Sequence, residues 1–327
     1  MKEIRITQNE ENQRLDKYLC KYFNKAPKSF VYKMLRKKRI KCNGGRAEGN
    51  EILQAGDTLQ LYLAEETMQG FMEAKSLAPA PRHFGIVYED DDLLVVNKPA
   101  GLLTHPERRE DTQTLIDQVL YYLYEKGQYT PDAQNAFTPA LCNRLDRNTS
   151  GIVVAGKTLR AVQAVNAAFK ERKVEKYYVA LVSGVVDKPG EIRLYLAKDE
   201  AQNQVRTSQE AREGFHPALT KYRPLAYTAD TTLLEMQLIT GKTHQLRAHL
   251  QAIGHPIWGD RKYGDVTYNT SLRRDYAVSH QCLHAQRLVW KEKKGVLAPL
   301  YGKQMIAPLP KQMQQICEDL FGDTVRL

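Results

Sequence analysis

At the centre of the chain stands the segment Asn143-Arg144-Leu145-Asp146-Arg147-Asn148-Thr149-Ser150-Gly151, followed by Ile152-Val153-Val154-Ala155. Polar side chains that lead into a β-branched run predict a loop at the mouth of a buried strand. Such a loop can hold a reactive group on a rigid element, and Asp146 is the only carboxylate in it. A charged turn in which Asp146 pairs with Arg144 or Arg147 would explain the same spacing, so the wider sequence has to separate the two interpretations.

Three other segments place polar residues beside small and apolar ones in a similar way. They are Leu94-Val95-Val96-Asn97-Lys98-Pro99-Ala100-Gly101-Leu102, Thr240-Gly241-Lys242-Thr243-His244-Gln245-Leu246-Arg247-Ala248-His249-Leu250, and Gly254-His255-Pro256-Ile257-Trp258-Gly259-Asp260 with Tyr263-Gly264. With the central segment in second place, the four resemble the signature sequences of the RluA-type pseudouridine synthases. The resemblance extends from about Gly85 to about Val289 and implies an enzyme that isomerises uridine in RNA.

The positive charge of the chain is concentrated near its amino terminus. The 327 residues have a formal net charge of +10, and twelve lysines and arginines lie between Arg14 and Arg46 against the single Asp16. The remainder of the chain is therefore close to neutral. Such a dense positive charge on a small module indicates a polyanionic partner, because contact with a phosphate backbone relieves the repulsion between the cations.

The same amino-terminal region is expected to form two helices and a small hairpin sheet. Apolar residues at helical spacing are followed by Asn43-Gly44, a dipeptide typical of hairpin turns. The region resembles the small RNA-binding module first named for a ribosomal small-subunit protein, although Lys38 stands where that module commonly has glycine. The resemblance implies that Arg36 and Lys37 bind RNA.

Cysteine usage and hydropathy indicate a cytoplasmic protein. The five cysteines are scattered and lack the paired spacings of a zinc site or a disulfide framework, so we interpret them as reduced thiols. No secretory signal opens the sequence, and no apolar run approaches the roughly 18 residues of a membrane span.

The order of the predicted elements favours an α+β fold. Two strands around the turn Asp90-Asp91-Asp92 form a hairpin, and later strands alternate with helices, one of which carries Arg247 and is expected to be capped by Thr243. Hairpins mixed with helices argue against a parallel doubly wound sheet. We expect a small α+β module at residues 1–64, a linker at 65–82 and a catalytic domain at 83–327, for which the resemblance implies a mixed, largely antiparallel sheet.

Uridine isomerisation breaks the bond between the sugar and the ring nitrogen, turns the detached uracil and rejoins it through ring carbon five. One carboxylate can begin the cleavage, either by attacking the anomeric carbon or by taking the proton from the neighbouring sugar carbon. The resemblance assigns this role to Asp146. The reaction needs no redox step, metal or nucleotide energy, and we therefore expect no cofactor.

The resemblance also assigns a cation and a tyrosine to the site. Arg247 matches the arginine that meets the catalytic aspartate in the family, and we expect its planar group to make a two-pronged contact with Asp146. Tyr178 matches the tyrosine that acts as a base at ring carbon five or stacks on the uracil. Its neighbour Tyr177 is expected on the opposite face of the strand.

Other polar side chains of the signature segments are expected to bind the substrate, namely Arg144, Arg147, Thr149 and His244. His244, His249 and His255 could in principle form a zinc triad. Gaps of five and six residues that straddle a helix end do not favour convergence on one ion, and we expect no metal site.

Two rival functions remain open on the sequence. A glycosidase would need a second carboxylate facing Asp146, and no second acid lies in a comparable motif. A non-enzymatic RNA-binding factor would need only the basic module, but it gives no reason for Asp146, Tyr178 and Arg247 to occur together. We expect a monomer that acts on RNA, with rRNA favoured over tRNA because family members that modify large-subunit rRNA often carry such a module.

Overall fold

The computed structural model describes residues 1–73, 77–131 and 137–322. Within these ranges the strands form two separate sheets, one of four strands near the amino terminus and one of eleven strands in the remainder. Helices pack against both sheets, so the predicted α+β class is confirmed. The predicted linker contains residues 74–76, and the predicted catalytic domain contains residues 132–136 and 323–327, which lie outside the described residues.

The amino-terminal module packs two short helices against an antiparallel sheet. Its elements are β1 (Lys2–Arg5), α1 (Leu15–Tyr22), α2 (Lys28–Arg36), β2 (Ile40–Cys42), β3 (Gly45–Arg46) and β4 (Thr58–Leu61). The strand order is β1-β4-β2-β3. Leu15, Leu19 and Leu35 belong to its apolar core, whereas the lysines and arginines of α2 are exposed. The helical spacing of the apolar residues therefore leaves the basic face to solvent.

The turn after α2 shows why the module commonly has glycine at position 38. Lys38 has a φ angle of 56°, in the left-handed region that a residue without a Cβ adopts most easily. The N–H of Lys38 donates to the Leu35 carbonyl at 2.9 Å, and the N–H of Arg39 donates to the Met34 carbonyl at 3.0 Å. These bonds end the helix and keep a strained lysine exposed at the turn.

The first part of the predicted linker is a helix that packs on the module. Helix α3 (Glu65–Gly70) buries Met68 in the module's core, and the ring of Phe71 lies 4.3 Å from that of Phe30, centroid to centroid. Lys25 Nζ lies 3.0 Å from Glu73 Oε1. A helix of six residues carries too little periodicity to be predicted, and burial of these apolar side chains stabilises it.

The remaining elements build the large sheet and its covering helices. They are β5 (Gly85–Glu89), β6 (Leu93–Lys98), α4 (Leu115–Glu125), β7 (Ala140–Leu141), β8 (Ser150–Gly156), α5 (Leu159–Lys170), β9 (Val174–Ser183), β10 (Gly190–Asp199), β11 (Gln204–Ser208), β12 (His216–Tyr227), β13 (Thr231–Leu238), α6 (Gln245–Ala252), α7 (Val266–Tyr276), β14 (Leu283–Trp290), β15 (Gln304–Ile306) and α8 (Lys311–Phe321). The strand order is β11-β10-β12-β13-β9-β14-β8-β6-β5, with β15 on β14 and β7 on β8. Strands β8 and β14 pair in parallel, and the other pairs described are antiparallel, which confirms the largely antiparallel sheet.

Both faces of the central strands are covered. In β8, Ile152 and Val154 belong to the apolar cluster that contains α5, whereas Val153 and Ala155 belong to the cluster that contains α4. A strand that is buried on both faces has no polar side, which explains the uninterrupted apolar run.

A close approach between strands explains the glycine at the start of this run. Gly151 has a φ angle of 114°, and a Cβ at this position would meet the backbone of Ala285 on β14. The parallel register of β8 and β14 contains Gly151 opposite Ala285. The loop that carries Asp146 therefore leads into the centre of the sheet, two strands away from β9 and Tyr178.

His284 links the same two strands, and we expect its burial to make the fold sensitive to acid. Its Nδ1 lies 2.8 Å from Ser150 Oγ, and its Nε2 lies 3.2 Å from the Ala307 carbonyl oxygen. Burial lowers the pKa of His284 to about 4. Because the unfolded chain binds this proton more readily, stability is lost as the pH falls from about 6.5 to about 4, by roughly 3 kcal/mol for this group.

We expect His284→Gln, which cannot titrate, to lose less unfolding free energy than the parent between pH 6.5 and pH 4. Urea unfolding followed at several pH values measures this difference. His83→Gln removes an exposed histidine and serves as the control, with an unchanged pH dependence. Parallel curves for the parent and His284→Gln would show that His284 does not carry the effect.

Candidate active site

The backbone on both sides of Asp146 is fixed by residues from an earlier part of the chain. The hydroxyl of Thr104 donates to the Leu145 carbonyl at 2.7 Å and accepts from the Leu145 N–H at 3.2 Å. The N–H of Gly101 donates to the Arg147 carbonyl at 3.0 Å. Asp146 therefore lies between two anchored residues, and its carboxylate is still 28% exposed.

Lys98 holds the same loop through a fully buried amine. Its Nζ donates to the carbonyls of Pro99, Leu102 and Arg147 at 2.9, 2.8 and 3.0 Å. Burial lowers the pKa of Lys98, and the charge of Asp146 acts in the opposite direction. The three carbonyl acceptors also favour the charged form, because each accepts a hydrogen bond from the ammonium group.

Arg247 connects Asp146 to a second carboxylate. Its Nη1 donates to Asp146 Oδ2 at 2.9 Å, while its Nε and Nη2 donate to the two oxygens of Asp260 at 2.6 and 2.9 Å. The predicted contact with Asp146 is present, but the prediction of a two-pronged contact was wrong. The planar fork binds Asp260, and only the remaining nitrogen reaches Asp146.

Asp260 is fully buried and anchors the arginine. Its Oδ1 also accepts from the backbone N–H groups of Lys262 at 2.9 Å and Tyr263 at 3.1 Å. Both carboxylates raise the pKa of Arg247, whereas its burial acts against this. The site thus contains a permanent cation whose position is set by the buried Asp260 rather than by the partly exposed Asp146.

The strand alternation places Tyr178 on the side of Asp146. Tyr178 is buried in the same apolar cluster as Leu145, and burial together with the charge of Asp146 raises the pKa of its phenol. Tyr177 faces the other way, with the guanidinium of Arg287 3.9 Å from its ring centroid. The one-residue alternation of a strand explains this division.

His244 lies near Asp146 in an unusual backbone conformation. Its φ angle is 50°, and α6 begins after it at Gln245, so the prediction that Thr243 caps this helix was wrong. The Gln245 side-chain oxygen instead accepts from the Lys242 N–H at 3.1 Å. The Nε2 of His244 lies 3.8 Å from Asp146 Oδ2, and burial lowers its pKa to about 4.

The other predicted binding residues lie outside this group. Arg144 and Arg147 are exposed at the mouth of the loop, where Arg147 Nε donates to the Gly101 carbonyl at 3.1 Å. Thr149 is buried, and its hydroxyl accepts from the Gln281 amide at 3.3 Å, which is typical of a supporting residue. Arg36 and Lys37 are exposed on the separate amino-terminal module.

Neither a metal-binding cluster nor a membrane-spanning helix occurs among the described residues. In residues 1–73, 77–131 and 137–322, no group of three or more His, Cys, Asp or Glu side chains could hold a metal ion. Two of the histidines considered as a triad have other partners, since His255 Nδ1 lies 2.9 Å from the Ser183 carbonyl oxygen and His244 Nδ1 lies 2.9 Å from Tyr263 Oη. Neither ring nitrogen of the buried His249 has a hydrogen-bond partner among the described residues. No helix in the described part of the chain is long and apolar enough to cross a membrane.

Four residues of the site were not singled out from the sequence: Lys98, Thr104, Asp260 and Tyr263. Three of them stand inside the quoted signature segments, and Thr104 follows the first of these segments closely. Their position in or near a signature segment was the available sign that these residues belong to the site. Such a position does not show which atoms a side chain contacts.

Both parts of the chain resemble known proteins. A model of the RNA pseudouridylate synthase family matches residues 92–252, and a model of the S4 domain matches residues 13–59. Ribosomal large subunit pseudouridine synthase C of Vibrio cholerae serotype O1 is 31% identical over 91% of this chain and 92% of its own length. Ribosomal large subunit pseudouridine synthase D of Pseudomonas aeruginosa is 31% identical over 84% of this chain and 83% of its own length.

A solved structure shares the fold. Human RNA pseudouridylate synthase domain containing 4 superposes with a TM-score of 0.57 at 24% identity, and the match covers 72% of this chain and 92% of that one. The family match spans both Asp146 and Arg247. The chain therefore belongs to the RNA pseudouridine synthases, the isomerases that convert uridine to pseudouridine in RNA, and carries an S4 domain at its amino terminus.

Proposed function

We propose that this chain isomerises a uridine of large-subunit ribosomal RNA and that Asp146 begins the reaction. The 2.9 Å contact between Arg247 Nη1 and Asp146 Oδ2, on the side of β9 that carries Tyr178, supports this most directly. A fixed cation beside an accessible carboxylate suits a reaction that starts at the sugar. The two bacterial relatives are named for the large ribosomal subunit, which favours this RNA over tRNA.

Each rival function is disfavoured by a contact in the site. A glycosidase needs two carboxylates that face the same sugar, but both oxygens of Asp260 are occupied by Arg247 and the residue is fully buried. A factor that only binds RNA has no use for a carboxylate that a buried arginine holds in place. The contacts of Asp146 and Asp260 therefore fit uridine isomerisation better than either rival function.

In this proposal Asp146 either attacks the anomeric carbon or takes the proton from the neighbouring sugar carbon, and both routes release the uracil. Arg247 stabilises the carboxylate before the reaction and keeps it oriented. Arg144 and Arg147 are exposed on the loop that carries Asp146 and are assigned to the RNA backbone around the target nucleotide. Turning the nucleotide out of its stack is required for access, as in other enzymes that act on bases.

We assign Tyr178 to stacking on the uracil rather than to removal of its proton. A phenol whose pKa is raised by burial remains protonated near neutral pH and is a poor base. Tyr178→Phe keeps the ring and should therefore retain turnover within about tenfold, whereas loss of a general base would cost roughly 100-fold or more. Tyr177→Phe on the opposite face is the matched control. Tritium release from ring carbon five measures both, and a loss above 100-fold in Tyr178→Phe would assign proton transfer to its hydroxyl.

The RNA affinity is assigned to the amino-terminal module, which we propose to extend over residues 1–73. At the end of α2, Arg36, Lys37, Lys38 and Arg39 form an exposed group that we call the basic tip. Three of them line an open pocket of about 280 Å³ together with Lys41 and Tyr62. A phosphate backbone would meet several cations there.

We expect the triple change of Arg36, Lys37 and Lys38 to glutamine to weaken RNA binding and to flatten its salt dependence. Each lost phosphate contact should remove about one unit from the slope of log affinity against log salt concentration. Filter binding at several salt concentrations measures this. The control changes Lys291, Lys293 and Lys294, exposed residues of the catalytic domain, to glutamine. Equal effects of both triple changes would assign the affinity to net charge instead of the basic tip.

The remaining parts of the proposal concern organisation and location. We propose residues 83–327 as the catalytic domain, a monomer as the working form, and the cytoplasm as the place where rRNA is modified. Light scattering of the purified protein tests the monomer, since a mass near 37.4 kDa is expected.

The proposed substrate is tested by incubating the protein with transcripts that carry tritium at ring carbon five of uridine. We expect release from large-subunit rRNA to stop at a small whole number of equivalents per RNA, because only specific uridines react. Release from tRNA transcripts, with none from rRNA, would overturn the substrate assignment and leave the reaction class intact.

A further inference from the structure

The side chain of His244 forms a hydrogen bond with Tyr263. The donor and the acceptor in each hydrogen bond of this tyrosine can be assigned. Tyr263 is buried, and its Oη lies 2.9 Å from His244 Nδ1 and 2.7 Å from the backbone nitrogen of Val205 on β11. A backbone N–H can only donate, so the Tyr263 oxygen accepts from Val205. Among the residues that the structure describes, His244 Nδ1 is the one acceptor within hydrogen-bond distance of this hydroxyl, so its proton points there.

The direction of the Tyr263 O–H bond determines which tautomer the His244 imidazole adopts. A ring nitrogen that accepts a hydrogen bond carries no proton, so the hydrogen of neutral His244 must be on Nε2. That nitrogen faces Asp146 at 3.8 Å, which is too long for a direct hydrogen bond. Among the described residues no acceptor lies within hydrogen-bond distance of this nitrogen, so its N–H group is available to a ligand beside Asp146.

The surroundings keep this imidazole neutral. The guanidinium of Arg247 lies 5.0 Å from the Tyr263 ring centroid, and Arg247 and Lys262 both disfavour a further positive charge on His244. Asp146 and Asp260 act in the opposite direction, but burial outweighs them and lowers the pKa of His244 to about 4. The group therefore acts as a neutral donor at physiological pH.

The left-handed backbone of His244 is consistent with a functional position. A φ angle of 50° is unfavourable for a histidine, and such strain is maintained where the surrounding structure requires one side-chain direction. An asparagine would tolerate this backbone better. Backbone energetics alone therefore do not explain why a histidine stands here.

We propose that Tyr263 is a positioning residue whose hydroxyl holds His244 in the neutral tautomer with hydrogen on Nε2, and that this N–H donates to a carbonyl oxygen of the uracil beside Asp146. When the glycosidic bond breaks, its electron pair leaves with the ring nitrogen and spreads onto the uracil oxygens. A neutral N–H stabilises this charge without protonating the base. An imidazolium would instead pair with the carboxylate of Asp146.

The inference rests on the proposed function and is tested first by spectroscopy. The full-length protein is labelled with ¹⁵N-histidine, and the His244 signal is identified by its absence in His244→Gln. We expect nitrogen shifts of the Nε2–H tautomer in the parent and a mixture of tautomers in Tyr263→Phe. The Nδ1–H tautomer in the parent, or identical signals in both proteins, would overturn the proposal.

Turnover provides a second and independent test. Glutamine places its amide N–H near the position of Nε2, whereas asparagine places it near Nδ1, so His244→Gln should retain activity and His244→Asn should lose roughly 100-fold. The backbone strain favours the opposite order, because asparagine fits a φ angle of 50° better. Greater activity in His244→Asn than in His244→Gln would therefore count directly against the assigned N–H.

The pH dependence of turnover distinguishes a positioning role of Tyr263 from a role in packing alone. Without the Tyr263 hydroxyl, the neutral form of His244 loses a stabilising hydrogen bond, so its pKa should rise and the acid limb of activity should move to higher pH. We expect Tyr263→Phe to reduce turnover about tenfold at pH 7 with an unchanged KM for RNA. Tyr268→Phe, which removes a hydroxyl on α7, should leave the profile unchanged.

The Asp146→Asn variant distinguishes failure of this inference from failure of the proposed function. If Asp146→Asn is inactive while Tyr263→Phe matches the parent, only this inference fails. If Asp146→Asn is active, the proposed function fails as well.

Discussion

Replacing Asp146 with asparagine is expected to lower the rate of pseudouridine formation by roughly 100- to 10,000-fold and to leave RNA binding nearly unchanged. The change preserves the shape of the side chain and removes the charge that attacks the sugar or accepts its proton. The residues on both sides of Asp146 remain anchored by Thr104 and Gly101, so the loop should keep its conformation. Tritium release and filter binding on the same preparation measure the two quantities.

The matched control is Asp187→Asn, which makes the same chemical change at an exposed residue between β9 and β10. Its turnover should equal that of the parent. An Asp146→Asn protein that releases tritium within a few-fold of the parent would show that the catalytic assignment is wrong. A folded variant that no longer binds RNA would assign Asp146 to recognition instead.

Arg247→Lys should be the second most damaging change, although it keeps the positive charge. Lysine cannot make two parallel bonds to Asp260 and a third to Asp146, so either the buried acid or the exposed one loses its partner. We expect unfolding free energy to fall by roughly 2 kcal/mol, because charge-assisted bonds to a buried group are lost. Turnover should fall by about 100-fold, since the carboxylate is no longer held in position.

Arg287→Lys separates these two effects. Arg287 is also largely buried and donates to Glu235 at 2.8 Å, but it lies beside Tyr177 on the other face of the sheet. This variant should lose stability and keep its turnover, when both are assayed well below the unfolding temperature. Equal losses of turnover in the two variants would mean that Arg247 acts through general stability.

Regular periodicity made several parts of the structure predictable. The run from Ile152 to Ala155 predicts a buried strand, and the strand is found between two apolar clusters. The same alternation separates Tyr178 from Tyr177. These inferences succeed because side-chain direction in a strand depends on backbone geometry alone.

The partner of the Arg247 fork could not be predicted in this way. Asp260 follows thirteen residues later, beyond the end of α6, and only the tertiary fold brings the two side chains together. The start of α6 could not be predicted for the same reason. Gln245 bonds Thr240 and Lys242, and His244 adopts a left-handed conformation, so Thr243 does not cap the helix. Helix α3 was missed because its stability comes from packing on the module rather than from its own six residues.

We infer that this chain makes pseudouridine in large-subunit rRNA through Asp146. Pseudouridine mapping tests this inference on total RNA from source cells that lack the protein, with the parent or Asp146→Asn supplied back. We predict that at least one position of the large-subunit rRNA loses its pseudouridine, that the parent restores it, and that Asp146→Asn does not. Restoration of the same position by Asp146→Asn, or an unchanged pseudouridine map in cells without the protein, would contradict the claim.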